Sequence, residues 1–235
     1  MLPKDRLIVA LDVPGATQAR QIVQSIGDVA TTYKVGKQLF TAEGPQFVRE
    51  LVASGRKVFL DLKFHDIPNT VAAAVRAAAE LRVSMLTVHA SGGSKMLRAA
   101  AEAAAQSPAR PLVLAVTVLT SLSDTDMQEV GIAGNVLSQV LRLASLAGHA
   151  GCGGLVASAK EAGELRRELG EGFVIVTPGV RPAGAAAGDQ ARVVTPADAI
   201  AAGATHLVVG RPILEAADPA RAAADIVAEI ERAAG

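Results

Sequence analysis

Short, unbroken runs of Val, Ile, Leu and other apolar residues alternate along this chain with longer stretches in which apolar positions recur every three or four residues. The runs fall at 7–11, 32–35, 58–62, 85–88, 112–116, 154–157, 174–176 and 207–209. They are continuous rather than alternating, as expected of parallel strands buried on both faces. Helical periodicity falls between them, at 17–26, 44–53, 70–81, 95–105, 136–147, 160–169, 196–202 and 219–233. Boundary residues support several of these segments. Thr195 places a capping hydroxyl before Pro196 at the first helical position, and Asp198 follows in the first turn. Asp218-Pro219 repeats the device, and Gly27, Gly55 and Gly203 stand where helices should end.

Eight strand–helix repeats in 235 residues predict one α/β domain, 1–235, closed as a single (β/α)8 TIM barrel. An open doubly wound sheet is the alternative, weakened because no GxGxxG follows the first strand. No linker, low-complexity tail or composition break divides the chain.

Composition narrows the picture further. Lys and Arg total 23 and so do Asp and Glu, which gives no general reason to expect a nucleic-acid or membrane partner. Cys152 is the only cysteine, so an intrachain disulfide and a multi-Cys zinc site are both excluded. The first apolar run is too short for a signal peptide and stops at Asp12, and no run approaches the roughly 20 apolar residues that span a bilayer. A cytoplasmic protein is expected.

In a barrel of this type, chemistry collects at the C-terminal ends of the strands. The first three strands end on charges: Asp12, Lys34, and the pair Asp61 and Lys63 in VFLDLK. Residues two apart in a strand share a face, so Asp61 and Lys63 should point into the barrel mouth while Leu60 and Leu62 point toward the helices. Charges flanked by apolar strand residues need partners or a ligand, because isolated burial is costly. A salt-bridge network at the barrel rim and a catalytic cluster both satisfy that need. Asp66 follows in DLKFHDIPNT, just before the helix expected to begin near Thr70; it is placed to cap that helix or to join the cluster. A D-x-K-x-x-D spacing sets two carboxylates around one ammonium, which keeps Lys63 protonated and makes it a general acid beside a carbanion.

The seventh and eighth strands run into TPGVRP and VVGRPI, each with a glycine that admits close backbone approach and an arginine, Arg181 or Arg211. Loops at these two positions commonly hold phosphate in barrel enzymes, although each alone is also an ordinary turn. Between Arg181 and Arg192 lies a segment of small residues that is either a disordered insertion or a lid, with Gln190 as its best phosphate ligand. His89 ends the fourth strand and is expected to be a packed structural histidine, and His65 is expected to pack or to support a neighbouring site residue. His149 and His206 show no metal-ligand spacing with each other. No metal site is expected.

DLKFHDIPNT resembles the signature of the orotidine 5′-phosphate decarboxylase family. VALDV, YKVGKQLF, VHASGG, AVTVLTS, TPGVRP and VVGRPI are similar to its other motifs, in the same order, so the resemblance spans the chain. It is to the shorter, stand-alone bacterial form. The resemblance implies decarboxylation of orotidine 5′-phosphate to UMP without metal or cofactor, in a homodimer. It implies that Lys63 protonates C6 of the pyrimidine, that Asp61 faces the substrate carboxylate, and that Asp66 and Thr70 reach the neighbouring subunit's site. Lys34 and Asp12 would bind the ribose hydroxyls, Thr120 and Ser121 the base, and Arg181, Gln190, Gly210 and Arg211 the phosphate. Two rivals stand beside this expectation. One is a magnesium-dependent sugar-phosphate barrel of the 3-keto-gulonate 6-phosphate decarboxylase or hexulose-phosphate synthase type. The other is a non-catalytic barrel that senses UMP.

Overall fold

Each apolar run becomes a parallel strand: β1 Leu7–Ala10, β2 Thr32–Gly36, β3 Lys57–Phe64, β4 Met85–His89, β5 Leu112–Val116, β6 Gly154–Val156, β7 Val174–Pro178 and β8 His206–Val209. The computed structural model describes residues 1–182 and 194–234. Within these, the strands pair in sequence order and β8 returns to β1, so the sheet closes as the predicted barrel. The helices are α1 Pro3–Arg6, α2 Ala16–Ile26, α3 Lys37–Ala53, α4 Pro68–Glu80, α5 Gly93–Gln106, α6 Asp124–Glu129, α7 Val136–His149, α8 Ala159–Leu169, α9 Pro196–Ala201, α10 Arg211–Leu214 and α11 Pro219–Ala234.

Strand alternation sorts the core into two layers. Ile8, Ala10, Phe59, Leu114, Val176 and Val208 fill the barrel interior. Their neighbours Leu7, Val9, Val58 and Leu60 belong to the larger cluster between sheet and helices. Each large side chain so buried contributes about 1.5–3 kcal/mol through removal from water. The interior plug of Phe59 and Leu114 gives the charged groups above it a rigid, dry floor.

The boundary signals act as expected at several ends. The Thr195 hydroxyl accepts from the Asp198 backbone N–H at 3.1 Å, with Pro196 in the first turn of α9. Asp218 accepts from the Arg221 N–H at 3.0 Å at the start of α11.

Other boundaries differ. The segment expected at 44–53 is only the second half of α3, which is interrupted at Gly44 (φ 65°) before Pro45. Gly44 supplies the left-handed turn and Pro45 lacks the amide that would continue the ladder, so the first half from Lys37 forms separately. Helix α4 starts with Pro68 as its first residue, not near Thr70. The short helices α1, α6 and α10 carry too few turns to show periodicity.

The largest departure is in β3. Leu60 pairs with Leu86 and Phe64 with Val88, so four steps on β3 oppose two on β4. The surplus is taken up at Lys63, whose φ of 54° is left-handed. Regular alternation was the basis for expecting Asp61 and Lys63 on one face, and the backbone between them is not regular.

Candidate active site

The strand-end charges form a row across the barrel mouth. Asp12, just past β1, accepts from Lys34 Nζ at 2.8 Å. Lys34 lies 3.8 Å from Asp61 Oδ2, and Asp61 Oδ1 accepts from Lys63 Nζ at 2.7 Å. Signs therefore alternate along Asp12, Lys34, Asp61 and Lys63. The side chains of Lys34 and Asp61 are only 10% and 12% exposed, and that of Lys63 is 23% exposed. Burial alone would push the Asp61 carboxyl upward; the charges of Lys34 and Lys63, with hydrogen bonds from Lys63 and Thr87, outweigh it and hold the group below the usual carboxylate range. Asp61 is thus an anion flanked by two cations.

Two cavities meet on this row. One, of about 580 Å³, runs from Asp12, Lys34 and Asp61 to Arg181, Gly210 and Arg211. The other, of about 180 Å³, runs from Lys63 over Val116, Val118 and Val156 to Thr120. Lys34, Asp61, Pro178 and Val208 line both. The combined space has a basic end, a charged centre and an apolar end over Lys63.

At the basic end, Arg181 is buried, and its Nε has no hydrogen-bond partner among the described residues. A buried unpaired guanidinium nitrogen is costly, and an anion would satisfy it. The Arg181 backbone N–H donates to the Val194 carbonyl at 3.0 Å, and Val180 bridges Val194. Gln190 lies outside the described residues.

Several expected site residues stand apart from the row. Asp66 is exposed, and its Oδ1 accepts from the Ile67 N–H at 2.6 Å rather than from Lys63. The two carboxylates anticipated around Lys63 from spacing are therefore one within a single chain, because the chain turns outward after Phe64. Thr70 is exposed on α4, and Ser121 is exposed and lines neither cavity. His89 packs beside His65 with ring centroids 5.5 Å apart, and burial, then the neighbouring His65, lowers its basicity. Among the described residues, no group of three or more His, Cys, Asp or Glu side chains is spaced to hold a metal ion, and no helix is long and apolar enough to cross a membrane.

The structure adds two residues that the sequence did not single out. The Thr87 hydroxyl donates to Asp61 Oδ1 at 2.9 Å and accepts from the Lys63 backbone N–H at 2.9 Å. In TVHA it reads as an ordinary β-branched strand residue. A Cβ at Gly36 would lie 3.1 Å from Lys34 Nζ and 3.3 Å from Asp12 Oδ1, so a side chain there would crowd that ion pair.

Residues 5–226 match the model of the orotidine 5′-phosphate decarboxylase / HUMPS family. The chain belongs to this family. A relative from Halorhodospira halophila, named orotidine 5′-phosphate decarboxylase, is 56% identical over 97% of this chain and 97% of its own length. One of the same name from Alkalilimnicola ehrlichii is 55% identical over 96% of each. The crystal structure of orotidine 5′-phosphate decarboxylase from Lactobacillus acidophilus superposes with a TM-score of 0.87 at 40% identity, covering 96% of this chain and 99% of that one. Family membership agrees with the order of motifs from VALDV to VVGRPI, and the barrel is the fold of these enzymes.

Proposed function

We propose that this chain decarboxylates orotidine 5′-phosphate to UMP and carbon dioxide in pyrimidine biosynthesis, with Lys63 as proton donor and no metal or cofactor. The observation that carries this reading is the Lys63 ammonium, held 2.7 Å from Asp61 at the edge of an apolar cavity. The pyrimidine takes the apolar end, Asp12 and Lys34 take the ribose hydroxyls, and Arg181, Gly210 and Arg211 take the phosphate. Thr120 lines the base end, where Ser121 follows it in sequence, and Gln190, outside the described residues, is assigned to the phosphate.

The C6–carboxylate bond breaks with its electron pair left on C6, carbon dioxide departs, and a Lys63 N–H bond gives its proton to C6. Lysine is then reprotonated from solvent. The carbanion at C6 has little resonance relief, so a fixed cation beside it is the main source of stabilisation, and it is already oriented before reaction. Phosphate binding far from C6 supplies energy for assembling the site, so it should raise turnover as well as affinity.

The working unit is a cytoplasmic homodimer in which Asp66 and Thr70 enter the neighbouring site. Their exposure in the lone chain supports this, as does the exposed Ile67 between them. The test is the loss of orotidine 5′-phosphate absorbance on adding purified protein, with and without EDTA. Conversion to UMP at the same rate in both is expected. No conversion by folded protein would sink the proposal and turn attention to pentulose and hexulose phosphates with magnesium; conversion abolished by EDTA would refute its metal-free part.

A further inference from the structure

Thr87 is uncharged and fully buried within β4, yet its hydroxyl touches both members of the Asp61–Lys63 pair. The hydroxyl proton goes to Asp61 Oδ1, and a lone pair receives the backbone amide of Lys63. Asp61 Oδ1 also receives Lys63 Nζ. Lys63 is therefore tied to one carboxylate oxygen twice, through its ammonium directly and through its backbone by way of threonine. This ring closes where β3 slips against β4, between Leu60 and Phe64. There the amide of Lys63 donates to a side chain, which holds the residue at φ 54°.

We infer that Thr87 is a positioning residue for proton donation, its single hydroxyl fixing both the Asp61 carboxylate and the left-handed backbone that aims Lys63. The inference rests on the proposed decarboxylation with Lys63 as donor. Without the hydroxyl, Asp61 keeps Lys34 and Lys63 as partners but gains freedom to rotate, and the Lys63 backbone loses the acceptor that holds its conformation. Neither change removes a group that touches substrate. The cost should therefore fall on the chemical step rather than on binding through the phosphate.

Thr87→Val is nearly isosteric and removes only the hydroxyl. It should fold, lower kcat by about 10- to 100-fold, the loss of a hydrogen bond to a charged group, and leave KM within about threefold. The acid limb of kcat/KM should also move to higher pH. The groups around Asp61 are Lys34 on β2, Lys63 on its own strand, Asp12 beyond Lys34 and His89 on β4, and the variant alters none of them. Thr87→Ser, which restores a hydroxyl, should recover both rate and limb.

A folded Thr87→Val enzyme with unchanged kcat and acid limb would overturn the inference. So would equal losses in Val and Ser, since Ser keeps the hydroxyl and the loss would then not follow it. Should Val not fold, Thr87→Ala carries the same test, and failure of both to fold would make Thr87 structural and overturn it too. Folded wild-type protein that turns over no orotidine 5′-phosphate would instead defeat the proposed function, and this inference with it.

Discussion

Replacing Lys63 by alanine removes the one ammonium that lines the apolar cavity without also bridging to Asp12. A unit charge about 3 Å from a developing carbanion, at an effective dielectric constant of about 20, is worth about 5 kcal/mol. That corresponds to roughly 10⁴-fold in rate, with the lost proton donor adding to it. The barrel should survive, because Lys63 lies above the interior layer of Phe59 and Leu114 and contributes no side-chain packing to it. Asp61 retains Lys34 at 3.8 Å and the Thr87 hydroxyl at 2.9 Å, so it should remain ionised. The assay is steady-state loss of orotidine 5′-phosphate absorbance, with circular dichroism to confirm folding and UMP titration to confirm an intact phosphate site. UMP should bind Lys63→Ala within a few-fold of wild type. A folded variant that keeps more than about a tenth of wild-type kcat/KM would refute the electrostatic role assigned to Lys63.

Three further outcomes are expected. Arg181→Ala should lower kcat/KM for orotidine 5′-phosphate by about 10- to 100-fold and leave the phosphate-free nucleoside within about threefold; equal losses on both would remove Arg181 from phosphate binding. Lys63→Ala and Asp66→Ala should each be inactive as purified dimers, whereas an equimolar mixture after subunit exchange should regain about a quarter of wild-type activity, since half the dimers are hybrids with one intact site. Recovery of none would place Asp66 outside the neighbouring site. His206 is pushed down to about 4, first by burial and then by the charges of Arg6 and Lys57. Below pH ~6.5 the unfolded chain gains a proton that the folded chain refuses, so stability should fall as pH drops from about 6.5 to 4, by about 3 kcal/mol in total. Urea titrations at pH 8 and 5 should show about 2 kcal/mol of this loss in wild type and less of it in His206→Asn; identical pH dependence in both would contradict it.

The barrel was legible because parallel strands buried on both faces print continuous apolar runs, and eight of them are hard to mistake. Asp12, Lys34, Asp61 and Lys63 were legible because charges at the ends of such runs have no structural reason to be there unless paired. Thr87 was hidden, since threonine is common in strands and its role depends on a partner in another strand that only the register brings opposite. The conformation of Lys63 was hidden for a related reason. Local sequence in VFLDLKF favours an extended chain, and the slip arises from pairing with β4. Asp66 shows the converse error: a spacing that suggests proximity within one chain, overridden by the outward turn into α4.

Among the described residues, Lys63, Arg82 and Arg110 are the non-glycine residues with positive φ. Arg82 and Arg110 sit in turns that lead into β4 and β5, at the far rim of the barrel, where such geometry is routine. Lys63 alone of the three lies inside a strand. A backbone-fitting algorithm or a designer judging local compatibility would mark it as an error and write glycine or asparagine in its place. Such a misfit can be found from dihedral angles and residue type alone, with no knowledge of substrate or chemistry. In a barrel of unknown activity, that test would have led straight to the residue proposed as proton donor.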